Sequence, residues 1–179
     1  MEDFIGKVVV VVLSMWILFY LPILVIAQKE DTAVQSYVDD KVEEFVNASV
    51  ETGYISTQNY LDMMNALDNT GLIYDVSLTY SKRKVYPVFD ETTGNPTGEY
   101  EVHYTDYFRD EIENEIFPDS QSAYTANKKF YMNSGDHFQV VVHNETPTFG
   151  SRMLQILTTR DNAKTIISSY GSYVGNSAK

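Results

Sequence analysis

From Val8 to Ala27 the chain runs through twenty residues, VVVVVLSMWILFYLPILVIA, without one charged side chain. A helix of that length rises about 30 Å, the thickness of a bilayer's hydrocarbon core. Because it is apolar on every side it has no wet face to turn outward, so lipid or protein must cover it. This run predicts a transmembrane segment over residues 1–27. A secretory signal cut near Val25-Ile26-Ala27 is the competing reading, since small residues stand there and Pro22 lies where signals often break. The run exceeds the signal core of about 7 to 15 residues, however. Its leader MEDFIGK also carries two acids and one lysine, the wrong balance for a signal. Lys7 and Lys29 flank the run and orient it weakly. The short leader favours a cytoplasmic N-terminus, a single pass through the cell membrane, and an extracellular remainder.

That remainder is strongly acidic. Of the 25 acids and 13 bases in the chain, all but Glu2, Asp3 and Lys7 follow the run, which leaves 23 against 12. Such a surface repels nucleic acid, and the short basic cluster Lys82-Arg83-Lys84 does not reverse it. No cysteine is present, so disulfides, thiol nucleophiles and thiolate metal sites are excluded. About 150 residues without a Pro- or Ser-rich divider suffice for one compact domain. Fourteen tyrosines are scattered through the chain, a density that suits β-sheet packing or a subunit interface.

Periodicity divides the chain into elements. Val34, Val38, Val42, Phe45 and Val46 recur at helical spacing, with Asp39, Asp40, Glu43 and Glu44 on the other face. This predicts a stalk helix over residues 28–53 that continues the membrane segment, one helix from about 5 to 51 kinked at Pro22. Two helices broken around Lys29 to Asp31 are the alternative. Residues 54–179 form the head. A second helix starts at Ser56, buried through Leu61, Met64 and Leu67 and closed by Gly71. Strands are expected over 74–80, 85–89 and 100–104, the last two flanking a turn-rich hairpin tip at Glu91 to Gly98. Thr105 is the expected cap of a short helix through Phe108, Ile112 and Ile116. A strand through Phe138, Val140 and Val142 follows, then a helix over about 148–158 buried through Phe149, Met153 and Ile156 or Leu157, and a strand over about 165–174. Segregated helices with a largely antiparallel sheet make the class α+β.

The residues that could carry chemistry are sparse. His137 and His143 share a strand face, but six residues separate their Cα atoms by about 20 Å, so they cannot share a metal ion. The acids Asp106, Asp110, Glu111, Glu113 and Glu115 read as a solvated helix face. Ser134-Gly135-Asp136-His137 lacks a nucleophile-elbow pattern and reads as a turn before a strand. No phosphate loop, dinucleotide fingerprint or calcium loop occurs. Asn47-Ala48-Ser49 and Asn144-Glu145-Thr146 match a glycosylation acceptor, a pattern short enough to arise by chance. No catalytic, cofactor-binding or metal residue is assigned.

With catalysis thin, architecture directs the reading. An apolar N-terminal helix that becomes an amphipathic stalk carrying a small α+β head resembles the pilin and pseudopilin plan, and Pro22 stands where many pilins bend. The segments MEDFIGKVVVVVLSMWILFYLPILVIAQKED and FVNASVETGYISTQNYLDMMNALDNTG, with Phe130 to Val142, are similar to small membrane-anchored proteins of Gram-positive gut bacteria associated with tight-adherence pilus or related secretion loci. The resemblance implies a structural subunit with residues 8–27 in lipid and other subunits as partners. It also implies that Glu2 or Asp3 pairs with a neighbouring subunit's amine during assembly. Gly6-Lys7 is the reverse of the order at which pilins are processed. The candidate membrane and assembly residues are therefore Glu2, Asp3, Pro22, Val34, Val38, Val42 and Phe45. An anchored or secreted binding module is the second reading, and an exported hydrolase the third.

Overall fold

The structure is a computed structural model, and it describes residues 2–91, 93–118, 128–158 and 165–175. Its first element, α1, is one unbroken helix over Glu2–Thr52 with Pro22 inside it. No break falls at Lys29 to Asp31. Gly53 ends the helix in a left-handed conformation, φ 74°, with its N–H on the Ser49 carbonyl at 2.9 Å.

Strand β1 (Tyr54–Ser56) and helix α2 (Thr57–Asp68) follow. The Ser56 hydroxyl accepts from the Asn59 N–H at 3.1 Å and so caps α2, as its sequence predicts. The buried row of α2 is Tyr60, Met63, Ala66 and Leu67, whereas Leu61 and Met64 are only part-buried. The expected stripe was thus turned by one position, because Tyr60 faces inward onto Phe45.

Strand β2 (Tyr74–Phe89) is sixteen residues long and merges the two strands expected over 74–80 and 85–89. It pairs with β3 (Pro96–Phe108), which leads into α3 (Arg109–Ile116). Thr105 therefore lies in a strand opposite Lys82, and Phe108 occupies the cap position. Phe108 has no hydroxyl to accept from the first turn, and its own N–H donates to Glu111 Oε2 at 2.9 Å, the returning half of a capping box. Ile112 and Ile116 are fully buried, as their spacing implies. Short β4 (Lys129–Tyr131) pairs with β1, and neither was visible to periodicity at three residues each. Then come β5 (His137–Asn144), α4 (Phe149–Thr158) and β6 (Ile167–Tyr173).

The main sheet is antiparallel in the order β3-β2-β5-β6. Its inner face is set by the cross-strand pairs Val76 with Val142, Leu78 with Val140, and Tyr80 with Phe138. That face packs on the second half of α1, where Val38, Val42, Phe45, Val46 and Val50 are buried. Phe45 meets Phe138 edge-on at 6.0 Å. Alternating burial on β2 and β5 with a helical stripe on α1 closes one core, and the class is α+β.

β5 pairs with β2 only from Tyr74 to Ser81. Beyond Ser81, β2 and β3 run on as a two-stranded hairpin, and its two wet faces explain why the polar stretch Ser81-Lys82-Arg83-Lys84 sits in a strand without alternation. Pro87 is accommodated because the strand has one neighbour there and the register shifts between Pro87 and Phe89.

Candidate functional site

The candidate residues fall into two groups along α1. From Phe4 to Phe19 every residue of the helix is exposed, Val8 through Leu13, Trp16, Leu18 and Phe19 among them, and from Tyr20 to Ile26 only Tyr20 and Leu24 are part-buried. It is long and apolar enough to cross a membrane. Its two hydroxyls are paired, that of Ser14 within the helix and that of Tyr20 with the Met153 carbonyl. The Ser14 hydroxyl donates to the Val10 carbonyl at 2.8 Å, which removes the cost of placing it in hydrocarbon. Trp16 stacks on Tyr20 with ring centroids 4.9 Å apart. Pro22 is exposed within this half. Glu2 and Asp3 begin the helix, and their side chains lie outside the described residues.

The second group turns inward. Val38 and Val42 are fully buried, Phe45 is 4% exposed, and Val34 packs part-buried against the same cluster. These side chains are occupied by the head of their own chain. The stalk and the head expected as successive units share one hydrophobic core, and the surface left to other molecules lies elsewhere.

The two halves meet at a contact that sequence reasoning missed. Asp31 is 4% exposed although it is charged, because α4 starts against it. The Thr148 hydroxyl donates to Asp31 Oδ2 at 2.8 Å, and the Gly150 N–H donates to Oδ1 at 3.1 Å. A carboxylate at the first turn of a helix also meets the positive end of its dipole. A Cβ built on Gly150 would collide with Asp31 Oδ2 and come within 3.2 Å of the Ala27 carbonyl oxygen, so only glycine permits this approach. The expected burial of Phe149 is overturned accordingly: Phe149 is 45% exposed, while Ser151 is buried. A sequence signal did exist. Ala27, Asp31, Val34 and Val38 follow one another at spacings of four, three and four, which places the acid on the apolar stripe.

Two further carboxylates serve as internal ties. Asp136 is 2% exposed and accepts from the Tyr80 hydroxyl, from the Arg83 N–H at 2.8 Å and from Asn133 Nδ2 at 3.3 Å. Gly135 before it takes φ 85°, and the Ser134 hydroxyl donates to the Gly175 carbonyl at 3.0 Å. The Ser134 to His137 segment is therefore built as a turn that fastens β6 to β2. Glu113 accepts from the Tyr60 hydroxyl and from Arg109 Nε at 2.7 Å, while Arg109 Nη1 reaches the Val76 carbonyl at 3.2 Å. Burial and, secondly, these carboxylate hydrogen bonds push both tyrosine hydroxyls well above the usual tyrosine range.

The outer face of the sheet is open. His137 and His143 both lie on it, His137 edge-on to Tyr173 and His143 within 3.7 Å of Asp75. Among the described residues no group of three or more His, Asp or Glu is placed to hold a metal ion. Along the hairpin the same face carries Val85 beside Val102, with Tyr100, Tyr104 and Phe108, all exposed. A shallow groove of about 330 Å3 between α1 and α2 has a mixed lining, with Lys41, Glu44, Asn59 and Asp62 beside Phe45 and Met63. No protein-family model, no curated protein and no solved structure matches the chain.

Proposed function

We propose that this chain is a non-enzymatic, pilin-like subunit or assembly component of a surface appendage or secretion system, anchored by residues 8–27 with its head outside the cell. One observation carries the reading: a single helix is bare and apolar over its first half and part of the head's core over its second. A plain tether needs no such continuity, since a flexible linker would hold a head to a membrane equally well. A helix rooted in the core suits a subunit whose apolar half leaves lipid to pack against copies of itself, exchanging one apolar surrounding for another. Glu2 and Asp3 would then find a neighbour's amine in a water-poor setting where pairing is strongest.

The test is the form recovered from cells. Intact-mass measurement of the membrane fraction and of sheared surface material should find the chain, with its apolar helix, in both. Recovery only as a soluble head beginning at Gln28 would overturn the reading. A second reading, an anchored binding module, is favoured by the exposed aromatic row on the hairpin. It predicts a chain that stays in the membrane, never appears in sheared material, and loses a ligand when Tyr100 and Tyr104 are replaced.

A further inference from the structure

We infer that α4 is a second membrane-contacting element, a helix that dips into the outer leaflet beside α1 and rests its exposed face on phospholipid. The inference rests on the membrane reading of residues 8–27.

Three contacts fix where α4 lies. Thr148 and Gly150 meet Asp31, Gly150 abuts the Ala27 carbonyl, and the Tyr20 hydroxyl donates to the Met153 carbonyl at 3.0 Å. As the numbering rises along α4 it falls along α1, so the helix runs antiparallel to α1 from Asp31 towards Tyr20. Tyr20 stands seven residues inside the end of the apolar run, a depth of about 10 Å. If the run spans the bilayer, α4 starts at its outer edge and descends among headgroups and upper acyl chains. That is a depth of about 5–10 Å at which apolar side chains meet the headgroup and acyl boundary, although α4 follows α1 and does not lie in the membrane plane.

The chemistry of α4 matches that depth. Its sequence FGSRMLQILT holds one charge, Arg152, and no acid, in a chain of net charge −12. The polar groups facing α1 pair with one another: the Tyr20 hydroxyl with a carbonyl, the Asp31 carboxylate with a hydroxyl and an N–H. This is what polar atoms need where water is scarce. The outward residues Phe149, Arg152 and Gln155 are exposed. Phe149 stands at the shallow end of the helix, by the outer edge, and Arg152, deeper by three residues, can extend its guanidinium back up to lipid phosphate while its stem stays apolar. The same face could instead meet another subunit, and the experiment separates the two.

The chain has no cysteine, so single-cysteine labels report one position each. Gln155→Cys and Arg152→Cys on α4, Ile26→Cys in the run and Glu44→Cys on the exposed head would be labelled with an environment-sensitive fluorophore. Each full-length variant is reconstituted in phosphatidylcholine and phosphatidylglycerol vesicles with and without brominated acyl chains. Both α4 labels should lose emission in brominated vesicles to an extent comparable with Ile26, be shielded from aqueous iodide, and differ from Glu44. Iodide quenching at α4 equal to that at Glu44, with Ile26 shielded, overturns the inference and leaves the anchor intact. Labels shielded from iodide yet untouched by bromine overturn it in favour of a protein contact. Iodide quenching at Ile26 equal to that at Glu44 refutes the anchor itself and the inference with it.

Discussion

Asp31 accepts a hydrogen bond from the Gly150 N–H at 3.1 Å, in an approach so close that it leaves no room for a Cβ on residue 150. The pair joins residues 119 apart in sequence and decides where α4 sits. Gly150→Ala should therefore act locally, through collision, while Asp31→Ala should act by removing an acceptor from two buried donors. Each is expected to cost about 1–3 kcal/mol. Hydrogen exchange on the full-length chain should show faster exchange in residues 149–158 for both variants, with β2 and β5 unchanged. Uniform loss of protection across the sheet would show that the pair supports the whole head.

The buried stripe and the bare half of α1 should respond oppositely to one substitution. Val42→Ala removes two methyl groups from a fully buried site and should destabilise the head by about 2 kcal/mol, read as a lower denaturant midpoint in micelles. Val12→Ala, at an exposed site, should leave that midpoint in place. Val12→Asp should cost membrane insertion about 2.5–3.5 kcal/mol instead, read as a fall in the membrane-integrated fraction.

Alkaline pH should weaken the head through Tyr60 and Tyr80. Burial first, then the hydrogen bonds to Glu113 and Asp136, raise both hydroxyls, so the folded chain keeps protons that the unfolded chain releases above pH of about 10. Stability from these groups is fully present below that pH and falls as pH rises towards the folded values, by up to about 1.4 kcal/mol per unit for each tyrosine. Tyr60→Phe should flatten the slope of unfolding free energy between pH 9.5 and 11, chosen to bracket the ordinary tyrosine value of about 10. An unchanged slope would mean that the hydroxyl titrates normally.

Tyr100 and Tyr104 project from the far side of the hairpin and touch no part of the core. Their replacement by serine should alter unfolding free energy by less than about 0.5 kcal/mol each. A larger loss in the isolated chain would show that the hairpin face is packed and not open.

Much of this fold is written in local periodicity. Val38, Val42 and Val46 announce a helix face, Val76, Leu78 and Tyr80 announce a strand, and Ser56 and Gly53 mark helix ends through their own chemistry. What escaped depends on distant partners. Lys82 to Lys84 fell between two expected strands because their strand has two wet faces, and Thr105 read as a cap because nothing near it reveals its pairing with Lys82. Asp31 drew notice only in the alternative of a broken helix, since its burial depends on Gly150, which no local pattern connects to it. The strands β1 and β4 are too short for any period to register.

The unbroken passage of α1 from bare helix into the head's core has a mechanical meaning. A helix of 51 residues is about 75 Å long, and beyond Pro22 it carries no further proline before Thr52. Pivoted where the apolar run ends, a tilt of about 20°, ordinary for membrane helices, would sweep the far end of α1 sideways by roughly 13 Å. Bilayer thickness would then act on the head as a hand acts on a lever, steering which of its faces a neighbour can reach.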